Sequence, residues 1–112
     1  MRTWWISFLA VVFAAGAALA GPVTMTYTTV TVATTSTTAV AADPTRKLLE
    51  LTNISDTAID CNLAGGTAVA SQGVRIHANG GSRLYDIGVP FQAVECIHAG
   101  SGTKTLLVGT GK

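Results

Sequence analysis

The chain has 112 residues, of which 48% are hydrophobic and 12% charged, and its formal net charge is +1. That length predicts a single domain. A chain so close to neutral, with no basic stripe or polybasic cluster, lacks the surplus that neutralises nucleic-acid phosphates or holds an anionic membrane surface.

The first 20 residues, MRTWWISFLAVVFAAGAALA, differ from the rest. Arg2 is followed by an apolar run from Trp4, with no further charge until Asp43, and the run closes on Ala18-Leu19-Ala20. This is the layout of a secretory signal peptide, a hydrophobic helix cleaved between Ala20 and Gly21. The alternative is a retained membrane anchor, because about 20 uncharged residues span a hydrocarbon core of roughly 30 Å. Residues 21–112 balance Arg46, Lys47, Arg75, Arg83, Lys104 and Lys112 against Asp43, Glu50, Asp56, Asp60, Asp86 and Glu95, for no net charge. So small a domain is marginal alone and is commonly reinforced by a disulfide or an oligomer interface.

Beyond the leader, Gly and small polar residues interrupt short Val, Ile, Leu and Thr runs at intervals suited to an all-β sandwich or barrel. No long 3.6-residue apolar period occurs there, so no long helix is expected. Residues 21–38 read as a Thr-rich strand or arm and 39–112 as the β-sandwich domain, with seven or eight strands in all. The segment TMTYTTVTVATTSTT carries nine threonines between residues 24 and 38. It suits an edge strand followed by a loop, or an arm from Val23 to Thr38 that pairs with a sister subunit. An ice-binding threonine array would require a regular repeat, which the chain lacks.

Ala42-Asp43-Pro44-Thr45 then turns the chain. RKLLELTN alternates, with Leu49 and Leu51 on one face. Asn53-Ile54-Ser55-Asp56 has turn chemistry, and TAIDCNL alternates again with Ile59, Cys61 and Leu63 together, so a hairpin is expected here. In GVRIH, Val74 and Ile76 point inward. Asn79-Gly80 suits the positive φ values of a type I′ hairpin before SRLYDI. Val89-Pro90 breaks the chain, QAVECIHA places Val94 and Cys96 on one face, and TKTLLVGT is the last strand.

Candidate chemistry is sparse. Cys61 and Cys96 share the inward phase of exported strands. They read either as a disulfide, whose 35-residue loop would stabilise by about 3–4 kcal/mol, or as two separate buried thiols. Cys96 and His98, with His77 elsewhere, would be the material for a metal site, but a blue-copper set also wants a methionine after the cysteine, and only Met1 and Met25 are present. His98 is expected to be exposed at a strand end, and the carboxylates to be solvated on outward faces. No Gly-x-Ser-x-Gly elbow occurs, and neither Gly65-Gly66 nor Gly80-Gly81 lies between a strand and a helix as a phosphate cradle does. The expectation is a protein without enzyme activity, cofactor or metal. Asn53-Ile54-Ser55 matches the glycosylation triplet.

The order of these pieces carries a resemblance. RKLLELTNISDTAI, then Gly65-Gly66, GVRIH, Gly80-Gly81-Ser82, Val89-Pro90, Ala93-Val94 and KTLLVGTG, resembles small tailed-phage virion proteins and their prophage relatives over roughly residues 35–109. The resemblance implies a jelly-roll-like β-sandwich of the capsid-decoration or head-fibre type. It also implies a homo-oligomer, with a homotrimer as the state, that binds sister subunits, capsid or other virion proteins. The leader and the cysteine pair set this chain apart from those relatives, and both fit export. The alternative is an exported periplasmic or extracellular binding module of prophage origin, with membrane contact only through residues 1–20 if they are retained.

Overall fold

The computed structural model describes residues 22–112; the expected leader helix, residues 1–20, lies outside the described residues. Eight strands follow in chain order: β1 (Met25–Val32), β2 (Thr37–Val40), β3 (Leu48–Asn53), β4 (Ile59–Asn62), β5 (Val74–Ile76), β6 (Gly81–Tyr85), β7 (Val94–His98) and β8 (Lys104–Gly111). They form two four-stranded antiparallel sheets, β1-β8-β3-β6 and β2-β7-β4-β5. There is no helix among the described residues.

Alternation along the strands builds the core. Val32 of β1, Leu49 and Leu51 of β3, and Leu106 and Val108 of β8 come from one sheet. Ile59 and Cys61 of β4, Ile76 of β5, and Val94 and Cys96 of β7 come from the other. The two sheets thus share one apolar layer, a sandwich-like arrangement. Each fully buried Leu or Ile there contributes about 1.5–3 kcal/mol. A slip of one residue in any strand would exchange its inward set for its outward one, so burial fixes the register.

The two expected hairpins are corrected. β3 and β4 belong to different sheets, and so do β5 and β6. Both turns are therefore corners that carry the chain from one sheet to the other, and they meet: Asn79 and Gly80 donate their N–H groups to the carbonyls of Ser55 (2.8 Å) and Asn53 (2.7 Å). Asn79 and Gly80 do adopt positive φ, at 59° and 99°. The dipeptide fixes the local backbone bend, while the core decides which sheet receives the next strand. Among the described strands, only β4 and β5 are both consecutive and paired.

The Thr-rich segment is likewise part of both sheets. It breaks at Ala33–Ser36, where Thr37 Oγ1 accepts from the Ala33 N–H at 3.1 Å. β1 then runs beside β8 over its whole length, from Met25↔Gly111 to Val32↔Lys104, and β2 lies beside β7. A boundary at residues 38 and 39 would cut β2, and Val32 is a fully buried core residue. Within residues 22–38, β1 thus lies in one sheet and the start of β2 in the other.

Candidate functional site

Cys61 and Cys96 are direct cross-strand partners in the β4–β7 ladder, both fully buried, and their sulfurs are bonded at 2.07 Å. The inward phase of each strand and the antiparallel pairing put them opposite one another, with Cα atoms 4.1 Å apart. With Cys96 bonded to Cys61, its sulfur is not a free thiolate partner for His98.

His98 is 1% exposed, not at a solvated strand end. Its Nε2 lies 2.8 Å from the Gly102 carbonyl, and its Nδ1 accepts the Gly100 N–H at 3.2 Å. Both ring nitrogens thus have main-chain partners within their own turn. The ring serves as the internal frame of the Ala99–Thr103 turn. His77 is exposed and lies outside this frame. Among the described residues no group of three His, Cys, Asp or Glu side chains gathers as a metal site would.

Three carboxylates, Asp60, Asp43 and Asp56, are engaged in structural contacts. Asp60, on the outward phase of β4, is only 3% exposed, contrary to the expectation of a solvated face. Arg75 of β5 grips it through Nε (2.9 Å) and Nη2 (3.0 Å), and the Ser71 N–H donates to it at 2.8 Å. The cover is the long β4–β5 loop, residues 63–73, which folds back over the outer face of its own sheet. Asn62 Oδ1 accepts the Ala64 N–H, Ser36 Oγ accepts the Ala68 N–H, and Ala68 is buried. The loop closes at Gly73, where φ is +84° and an added Cβ would collide with the Cys61 carbonyl. The Arg75 hydrogen bond, opposed by burial and aided by Ser71, holds the Asp60 carboxyl below its ordinary range.

Asp43 accepts from the N–H and Oγ1 of Thr45 (2.9 and 2.6 Å) and pairs with Lys112, which chiefly pulls its carboxyl well down. Asp56 is likewise lowered, first by Lys104 at 2.9 Å. Arg46, which the sequence left unremarked, is buried beside this first turn. Its guanidinium donates to the carbonyls of Pro90 (2.7 Å) and Ala41 (2.5 Å), tying the loop before β3 to the loop before β7. Burial pushes its pKa down. Only the order Asp-Pro-Thr-Arg, a turn followed at once by a long donor, hinted at such a staple.

That second loop forms one wall of an open concavity of about 430 Å³ beside the disulfide. Leu63, Val74, Val89, Pro90 and Phe91 give it an apolar lining, and Asn62 and Gln92 add amides. Ile87, 89% exposed, and Phe91 stand out beside it. The concavity offers contact surface, and its lining residues carry no charged side chain. The chain matches no protein-family model, no curated protein and no solved structure.

Proposed function

We propose that the chain is a non-enzymatic structural protein of a virion, a capsid-decoration or fibre-type module that binds sister subunits or other virion proteins. The observation that carries this reading is the pairing of strands from the outside inward: β1 with β8, β2 with β7, β3 with β6, and β4 with β5. That order supports a jelly-roll reading, one long four-rung hairpin rolled into two sheets, an architecture used by viral capsid and lectin domains. It joins the order of motifs, which resembles that of small tailed-phage virion proteins. The leader-like residues 1–20 are read as a cleaved signal peptide, which would deliver the domain to a membrane-associated assembly site.

Mass spectrometry of purified virions tests this reading. Recovery of the chain at structural stoichiometry, starting at Gly21, supports both the location and the cleavage. Virions that lack the chain while the cell exports it favour the second reading, an exported binding module in the periplasm or outside the cell. The buried disulfide supports that alternative, since such bonds persist in oxidising compartments.

A further inference from the structure

Two sheets have four edge strands, and here three of them carry the features that stop unwanted strand addition. β2 is four residues long and its register shifts between Thr38 and Val40. β5 has three residues, with exposed Arg75 in the middle. β6 has five, with exposed Arg83 at its centre. β1 has none of these features. It has eight residues, MTYTTVTV, pairs with β8 without a bulge, and contains no charge, Pro or Gly; Thr26 to Thr29 are exposed in succession.

The hydrogen-bond phase shows what this edge presents. Thr24 and Lys112 exchange both main-chain bonds, at 3.0 and 3.1 Å. Antiparallel pairs alternate, so Thr26, Thr28 and Val30 also bond to β8, whereas the N–H and C=O groups of Met25, Tyr27 and Thr29 point to the other edge, where no strand lies among the described residues. We propose that β1 is the contact strand of a symmetric dimer, in which a second copy of this chain adds its β1 antiparallel with Tyr27 opposite the partner's Tyr27. In that register Met25 pairs with the partner's Thr29, and every free main-chain group from Met25 to Thr29 meets a complementary one.

The occupant is a second copy because self-pairing opposes like residues. A strand bearing even one charge near the axis would place it against its own copy, and MTYTTVTV bears none. The side chains agree. Tyr27 lies on the outer face, 58% exposed, with its ring over Gly109, where an added Cβ would come within 2.7 Å of the ring. Across the axis the two rings would stand side by side and join two four-stranded sheets into one of eight. This deepens the self-association part of the proposed function and is independent of the virion location: virions without the chain leave it standing, and a monomer leaves the virion reading standing.

The test uses protein purified after export from cells carrying the whole gene. Sedimentation at tens of micromolar should give twice the monomer mass. Thr29→Pro removes a free-edge N–H without touching the β8 ladder, a tolerated edge position for proline, and should leave a folded monomer. Tyr27→Cys should form an intermolecular disulfide on a non-reducing gel, because hydrogen-bonded partners have Cα atoms about 5.5 Å apart, within disulfide reach. Thr28→Cys should not. A wild-type monomer or trimer, a Thr29→Pro dimer, or cross-linking through Thr28→Cys in place of Tyr27→Cys would overturn the proposal.

Discussion

Asn53 shows how much one polar residue can hold at a sheet corner. It is fully buried at the end of β3. Its Nδ2 donates to the carbonyls of Thr57 (2.8 Å) and Ile76 (3.0 Å), and its Oδ1 accepts from the N–H and Oγ of Ser55 (2.9 and 2.7 Å). Asn53→Ala should cost about 2–4 kcal/mol, since each buried group left unpaired costs about 1–3 kcal/mol; urea midpoints at unchanged slope would measure it. The glycosylation triplet at Asn53 is occluded for the same reason, because its amide nitrogen is committed inside the fold. Asp60 yields a pH prediction. Its folded pKa lies below the ordinary 3.8, so the stabilisation is present above that value and fades as pH falls through the folded pKa. Wild type should exceed Asp60→Asn in stability by about 1–2 kcal/mol near neutrality, and the gap should close in acid below pH 3.8. A gap constant with pH would exclude the Arg75–Asp60 clasp as its source. The turn role of Asn53 was legible, because its side chain bonds locally. The burial of Asp60 was not, because its cover comes from a loop whose path no alternation pattern encodes.

At the scale of elements, strand phase was the readable quantity. Leu49 with Leu51, and Val94 with Cys96, are buried as period two requires, whereas Val74, in phase with buried Ile76, is only half-buried. The phases of β4 and β7 brought the cysteines together. Strand partners were not readable, because Asn79-Gly80 specifies a bend and leaves the destination of the following strand open. The pairing Cys61↔Cys96 stitches β4 to β7, neighbours in space but 35 residues apart in the chain. Reduction should lower unfolding free energy by about 3–4 kcal/mol on the loop-entropy estimate. Both cysteines are fully buried, so reductant should reach them only through opening of the fold. The reduction rate of native protein should therefore climb with urea as unfolding does. Reduction at a rate indifferent to urea would contradict the burial.

For the whole molecule, the pairing order makes most contacts distant in sequence. β1 meets β8 and β2 meets β7, and only β4 with β5 is local. Long loops must close before those contacts repay their entropy, so disulfide-intact protein should fold in roughly milliseconds to seconds, as all-β domains do. Early structure is expected around β4 and β5. Ile76→Val should then act mainly on the folding rate, and Val32→Ala mainly on unfolding. Stopped-flow chevrons would check this, and the reverse assignment would place the nucleus at the β1–β8 seam. The composition and turn spacing announced an all-β fold, but they could not announce this order, which resides in contacts between residues far apart in the chain, such as Met25 and Gly111.

The β1–β8 seam also sets how the domain would bear a load. Thr24 and Lys112 are bonded neighbours at one end of the ladder, so tension applied through the two ends acts across the hydrogen bonds and not along the strands. The bonds would break singly, like a zip, instead of sharing the force in parallel. A tether pulling on both ends would peel β1 away at low force, whereas a pull between β1 and the distant turn near Gly102 would load the strands lengthwise and meet far more resistance.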